Sequence, residues 1–248
     1  MKKIILLVLA VFTVVSAGCS RKERLPPPNE LPMYGGQTVP SNDLAADTKT
    51  NERMIQKTGS NEAAVKKIIE NAWANHQIGY FELAMHDFNR AWLVDPQNPE
   101  IFYGFAQVLA AQNKDEDAIH IYQKVLDMKP DHGLTLCHMA RLYQNKAVKK
   151  STEPYPNDNE EAGTKIEAEA LRDFNQALTL YEKAVQNATL DEHLSFIYYQ
   201  WAIALAVSKD YAGAWEKVHL SKKHGGQYIQ EEFIEALSKD MPEPAPQS

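Results

Sequence analysis

The chain has 248 residues, of which 44% are hydrophobic and 24% are charged. This balance excludes general disorder and fits either one substantial core or an array of small units. The formal net charge is −7 at neutral pH. Because phosphate binding needs concentrated lysine and arginine, nucleic acid is not expected as a partner.

The first 18 residues have the features of a secretory signal peptide. Lys2 and Lys3 precede an apolar run of 12 residues from Ile4 to Val15, and small residues follow. Twelve residues are too few to span a bilayer as a helix. No later segment has 18 uninterrupted apolar residues, so no transmembrane helix is expected.

The four residues SAGC, which end at Cys19, resemble a bacterial lipobox, although Ser16 stands where that family usually has Leu. The resemblance implies that Cys19 carries acyl chains such as palmitate and becomes the mature N-terminus. Ser20 then implies the outer membrane, facing the periplasm, or the cell membrane if the host has no outer membrane. Ordinary secretion with a chance cysteine is the alternative. With Cys19 lipidated, Cys137 has no partner for an intramolecular disulfide.

Residues 19–42 are predicted to be the lipidated start and a flexible tether. The stretch RKERLPPPNELPMYGGQTVP is polar and rich in proline, which favours an extended and water-exposed chain. Residues 43–59 are predicted to form a lead helix that Gly59 closes.

From Ser60 onward the apolar residues recur at the helical period, and the pattern repeats every 34 residues. FELAMHDFNRAWLVDP and DEDAIHIYQKVLDMKP align so that Ala84 matches Ala118 and Pro96 matches Pro130. Two helices joined as a hairpin leave an apolar face that only the next hairpin can cover. The predicted fold class is therefore all-α, built as an array of helical hairpins.

This 34-residue helix–turn–helix unit resembles a tetratricopeptide repeat (TPR). The second copy departs from the family at Val125, where Ala is preferred. The residues that carry the resemblance are Gly79, Phe81, Ala84, Phe88, Ala91 and Pro96 in the first copy and Ala118, Tyr122 and Pro130 in the second. The resemblance implies a TPR-type solenoid over residues 60–226.

The array is predicted to hold four units and to close with a capping helix. The third unit contains an insertion at 148–170, because Ala118 and its match Ala177 are 59 residues apart, which is one repeat plus 25. A terminal helix should cover the last open apolar face. The predicted segments are units at 60–97, 98–131, 132–190 and 191–226, a capping helix at 227–241 and a disordered tail at 242–248.

The sequence contains none of the common catalytic or metal motifs HExxH, GxSxG, P-loop and CxxC. Cys137 and His138 are neighbours on a predicted helix and point about 100° apart, so they cannot face each other as nucleophile and base. No metal, no cofactor and no enzymatic activity are expected. The alternative is an enzyme that uses the insertion at 148–170 as an active-site lid.

In TPR proteins the first helix of each pair lines a concave, ligand-binding side. The resemblance places there Ile69, Trp73, His76, Gln77, Tyr103, Gln107, Ala110, Cys137, Arg141, Gln144, Asn145, Phe196, Tyr199 and Ile203. The residues predicted to bind a partner are Trp73, Gln77, Tyr103, Gln107, Arg141, Asn145 and Tyr199. The alternative for an aromatic residue such as Trp73 is packing against a neighbouring helix. The basic and amide residues that clamp chaperone C-termini are missing at the matching places.

Taken together, these features predict a lipid-anchored TPR adaptor of the bacterial envelope that binds protein or peptide partners. Similar lipoproteins recruit cell-wall enzymes or act as pilotins, so a pilotin-like assembly factor for a secretin or pilus is the alternative. Stacking of exposed array ends into a homo-oligomer also stays open.

Overall fold

The computed structural model describes residues 27–36, 41–152 and 160–244. The predicted signal peptide and Cys19 lie outside the described residues. Within the described ranges the secondary structure is entirely helical, which confirms the all-α class. None of the helices in these ranges is both long and apolar enough to cross a bilayer.

Two 3-10 turns at Pro28–Glu30 and Pro32–Gly36 precede the α-helices. The α-helices of the described ranges are α1 (Ser41–Thr58), α2 (Asn61–Gln77), α3 (Phe81–Val94), α4 (Pro99–Ala111), α5 (Asp115–Met128), α6 (Gly133–Thr152), α7 (Glu160–Asn187), α8 (Asp191–Val207), α9 (Tyr211–Lys223) and α10 (Glu231–Asp240).

Helices α2 to α9 form four hairpins that pack side by side. The closest partners are α2 with α3, α4 with α5, α6 with α7 and α8 with α9, and each hairpin then packs its second helix on the first helix of the next. One buried apolar cluster runs through these hairpins, and a second lies between α8, α9 and α10. The arrangement confirms the predicted helical-hairpin solenoid.

The second helix of every hairpin is buried through the same three positions. The side chains at these positions have no exposed surface: Ala84, Phe88 and Ala91, Ala118, Tyr122 and Val125, Ala177, Tyr181 and Ala184, and Ala214, Val218 and Ser221. The first position is alanine in all four hairpins, because a larger group would overpack the helix contact by about 1–3 kcal/mol. Helix α4 also lies very close to α3 of the preceding hairpin, since a Cβ on Gly104 would lie 2.2 Å from the ring of Phe88.

The turn inside the hairpin has the same backbone form in three of the four units. Gly79, Asn113 and Lys209 adopt positive φ angles of 82°, 58° and 68°. The residue after each of them donates its N–H to a carbonyl five residues earlier, and this bond closes the first helix. In the third unit the two helices are joined by residues 153–159, which lie outside the described residues.

The predicted insertion at 148–170 lengthens both helices of the third hairpin. Helix α6 continues through Thr152 and α7 begins at Glu160, while residues 153–159 lie outside the described residues. Lys150 lies 3.3 Å from Glu169 and 2.8 Å from Asp173, so ion pairs join the two extensions. The described part of the insertion is therefore packed helix.

Residues 27–36, called here the docked segment, were expected to belong to a flexible tether and instead pack against α1 and α3. The Tyr34 side chain is 1% exposed. Its backbone N–H donates to Asn89 Oδ1 at 3.2 Å, and its hydroxyl donates to Asp47 at 2.8 Å. Asn89 Nδ2 in turn donates to two backbone carbonyls of the docked segment. The tether prediction is wrong here because polar composition does not reveal a buried asparagine that binds backbone.

The C-terminal end is closed by α10, which begins later than the predicted capping helix at 227–241. The Trp215 indole N–H donates to the carbonyl of Met241 at 2.9 Å. Glu243 lies 2.9 Å from His219 Nε2 and 3.1 Å from Lys222 Nζ. The start of the predicted disordered tail is therefore held on α9, and residues 245–248 lie outside the described residues.

Replacing Asn89 by alanine tests the docked segment. Asn89→Ala removes three hydrogen bonds to the segment's backbone, so the free energy of unfolding should fall by about 1–3 kcal/mol. Urea denaturation measures this change. The control Asn175→Ala alters an exposed asparagine of α7 and should change stability by no more than about 0.5 kcal/mol. Equal effects of the two variants would show that Asn89 does not hold the segment.

Candidate binding groove

A row of aromatic rings follows the first helices of the array. Centroid distances are 5.8 Å from Trp73 to Tyr103, 5.9 Å from Tyr103 to His138, 5.5 Å from His138 to Phe196 and 5.2 Å from Phe196 to Tyr228. Helices α2, α4, α6 and α8 each contribute one ring, and Tyr228 precedes α10. We call these five side chains the ring row. Because first helices line the concave side of a helical-repeat array, we infer that the row lines a groove.

The ring row is only partly buried. Tyr103 is 9% exposed, and the other four rings are more accessible. The Trp73 indole N–H donates to Glu100 at 3.1 Å, and the Tyr228 hydroxyl donates to Glu192 at 2.7 Å. The polar atoms at both ends of the row are thus satisfied. The apolar faces of these rings remain partly open to the groove.

Trp73 also packs into the array. Its ring meets Phe88 of α3 edge-to-face, with centroids 5.2 Å apart, an arrangement that aromatic pairs favour. The packing alternative considered for Trp73 therefore holds in part. The indole joins the core on one side and the ring row on the other.

The predicted polar residues of the groove fall in two groups. Gln107 Nε2 donates to the Tyr103 hydroxyl at 2.8 Å, and Arg141 is partly exposed one turn after His138. Gln77 and Asn145 are exposed on α2 and α6. Gln107 and Arg141 thus lie on α4 and α6, near the middle of the ring row, and Gln77 and Asn145 lie on the open surface of α2 and α6.

Tyr199 does not lie open to the groove, and that prediction is wrong. Its side chain is 4% exposed and its ring meets Phe233 of α10 at 5.5 Å. The repeat alignment placed Tyr199 correctly on a first helix but did not include the capping helix that covers this face. Two other aligned positions also face inward: Cys137 has no exposed surface, and Gln144 accepts a hydrogen bond from the Tyr181 hydroxyl at 3.0 Å.

Sequence reasoning missed two members of the ring row. The alignment pointed to Cys137, but Cys137 has no exposed surface, and the neighbouring His138 is the residue of α6 that joins the ring row. Tyr228 lies between α9 and α10, outside the repeat register, and no motif marks it. A general enrichment of aromatic residues near the first helices was the available signal.

Cys137 and His138 do not form a reactive pair. Burial raises the pKa of the Cys137 thiol to about 12, despite the nearby charge of Arg141. Burial also lowers the pKa of His138 to about 3. At neutral pH the thiol is therefore protonated and the imidazole is uncharged. In the described ranges no group of three or more His, Cys, Asp or Glu side chains could hold a metal ion.

The pKa of His138 predicts how stability depends on pH. An unfolded histidine has a pKa near 6.5, so between about pH 3 and 6.5 the unfolded state binds the extra proton. Stability should rise with pH across this window and fall as the pH drops below about 6.5, by at most about 1.4 kcal/mol per pH unit from this residue.

Urea unfolding at several pH values between about 4 and 6 would measure this slope. His138→Gln should flatten it, whereas His120→Gln, at an exposed position of α5, should keep the wild-type slope. Parallel slopes for wild type and His138→Gln would contradict the assignment.

Comparison with known proteins matches residues 99–132 to the tetratricopeptide repeat family. This range contains α4 and α5. A search of curated proteins found no match.

Solved structures similar to the chain include two TPR proteins of bacteria. One is a thermophilic TPR protein of Thermus thermophilus, with 12% identity, a TM-score of 0.39 and coverage of 71% of this chain and 98% of that one. The other is a tetratricopeptide repeat protein of Parabacteroides merdae, with 16% identity, a TM-score of 0.33 and coverage of 80% and 93%. At such low TM-scores these similarities add nothing to the helix packing described above. The chain therefore carries a tetratricopeptide repeat at residues 99–132, as one hairpin of a helical solenoid.

Proposed function

We propose that the chain is a non-enzymatic scaffold that holds an extended segment of a partner protein in the groove along α2, α4, α6 and α8. The observation that supports this proposal is the ring row. Partly exposed aromatic rings with satisfied polar atoms offer a large contact area at little cost in side-chain entropy. Aromatic residues and arginine are also the most common among the residues that contribute most of the free energy of protein–protein binding.

Amide side chains beside the ring row suit an extended backbone. Gln107 donates a hydrogen bond from Nε2 to the Tyr103 hydroxyl. Its amide oxygen is therefore left to accept a hydrogen bond from a backbone N–H. Gln77 and Asn145 are exposed on the neighbouring first helices and carry both a donor and an acceptor. An extended peptide presents N–H and C=O groups along its length, so such amides can align it over the rings.

Site-specific crosslinking in the host tests the groove. A photo-reactive phenylalanine at Asn145, on the groove side of α6, should crosslink a partner protein, whereas the same group at Gln176, exposed on α7, should not. Phe196→Ala should reduce the crosslink from position 145 several-fold. Phe174→Ala removes another partly buried phenylalanine and controls for lost stability. Equal crosslinking from both positions would argue against a binding groove.

We also propose that Cys19 is lipidated and anchors the scaffold at the outer membrane, facing the periplasm, or at the cell membrane if the host has no outer membrane. Because the docked segment starts at Pro27, only residues 19–26 would link the lipid to the folded array. These residues reach at most about 28 Å when fully extended. The groove would then work close to the membrane, where weak contacts act at a high effective concentration.

Replacing Cys19 tests the anchor separately from the groove. Cys19→Ser should move the chain from the membrane fraction to the soluble fraction and abolish labelling with palmitate, because several acyl chains hold a protein on a membrane and none would remain. Cys137→Ala alters the only other cysteine and should leave both readouts unchanged. A Cys19→Ser chain that stays labelled and membrane-bound would refute the lipid anchor and leave the groove proposal standing.

A further inference from the structure

Arg141 stands apart from the lysines of α6. Lys146 lies 3.4 Å from Glu116, Lys150 is held by an acidic residue of α7 at 2.8 Å, and Lys149 also interacts with the rest of the chain. Arg141 is partly exposed, and within the described ranges its guanidinium makes no hydrogen bond or ion pair. A planar guanidinium carries five N–H donors, so this side chain keeps its full binding capacity.

Three rings form a cluster that includes His138, one turn before Arg141 on α6, and they have unused hydrogen-bonding capacity. The centroids of Tyr103, Tyr122 and His138 lie 5.9–6.3 Å from one another. The Tyr122 hydroxyl and His138 Nδ1 are buried and have no hydrogen-bond partner in the described part of the chain. Buried polar atoms without a partner are uncommon, because each has lost its water and gained nothing in exchange.

The charge of Arg141 acts on this cluster. Burial raises the pKa of Tyr103 and of Tyr122, and in both cases the charge of the Arg141 guanidinium works against that rise. His138 is uncharged at neutral pH, as shown above, so Arg141 supplies the positive charge here. Two acidic residues lie at the ends of the ring row. Glu100 already accepts a hydrogen bond from Trp73, and Glu192 accepts one from Tyr228.

We propose that the partner segment carries an aspartate or glutamate whose carboxylate binds Arg141, with apolar side chains on both sides of it packed on the ring row. This inference rests on the proposed function and names the chemistry of the partner. The guanidinium fork matches a carboxylate through two parallel N–H···O bonds. The Tyr103 hydroxyl accepts from Gln107, so its own O–H is free to donate to the same carboxylate.

The acidic residue should lie within the segment and not at its C-terminus. The ring row continues on both sides of the Arg141 position, towards Trp73 in one direction and towards Phe196 and Tyr228 in the other. A terminal carboxylate would leave one of these sides without a partner. Side chains on one face of an extended chain repeat about every 6.8 Å, and the rings of the row lie 5.2–5.9 Å apart, so successive side chains on that face can reach successive rings. The expected pattern is therefore apolar, any residue, acidic, any residue, apolar.

Fluorescence anisotropy with two labelled, end-capped peptide pools tests the inference on the purified full-length chain. The pools have the patterns Phe-x-Glu-x-Phe and Phe-x-Gln-x-Phe, with small polar residues at x. The Glu pool should bind about tenfold more tightly, because a charge-assisted bond replaces a neutral one. Arg141→Gln should bring the two pools to similar affinity. Arg172→Gln, at an exposed arginine of α7, should keep the difference, and Arg141→Lys should retain part of it.

Several results would overturn this inference. Equal binding of the two pools by the wild type, or a difference that survives Arg141→Gln, would refute the acidic partner and leave the groove itself unaffected. Tighter binding of an uncapped peptide ending in Glu would show that the site takes a terminal carboxylate instead. Binding of neither pool would also refute the inference, and the crosslinking at Asn145 decides independently whether the groove has a partner.

Discussion

The array depends on the close approach of the two helices in each hairpin. Ala84, Ala118, Ala177 and Ala214 make this approach, and each has no exposed surface. A methyl group lets the helices pack at a short distance, and the larger buried side chains one turn later then fill the space between hairpins. This spacing also sets the distance from one first helix to the next. Rings on successive first helices consequently lie 5.5–5.9 Å apart and touch.

The groove is therefore a property of the stacked array and not of any single repeat. Each of α2, α4, α6 and α8 contributes one ring, so losing the contact between two hairpins would divide the row. A ligand that spans several rings binds only the stacked form and must stabilise that stacking by mass action. Contact between neighbouring repeats and binding in the groove are thus coupled, as expected for a solenoid whose repeats contact only their neighbours.

Most of the solenoid could be predicted from the sequence because helix pairing is a local and periodic property. The 34-residue period, the break at Gly79 and the small residues on the second helices follow from side-chain size and the helical repeat. The binding groove was harder to predict because it depends on contacts between residues that are far apart in the sequence. Tyr199 is covered by α10, and His138 joins the ring row whereas the aligned Cys137 is buried. Nor does composition show that Asn89 binds the backbone of the docked segment.

Closure of both ends bears on how a partner can reach the array. At the N-terminal end α1 and the docked segment cover α3, and Asn89 hydrogen-bonds backbone groups of the docked segment. At the C-terminal end α10 packs over Tyr199 and is held through Trp215. Within the described residues, elements outside the four hairpins thus pack on both ends of the array. The ring row, in contrast, is left partly exposed along the side of the array, so a partner is expected to approach from that side.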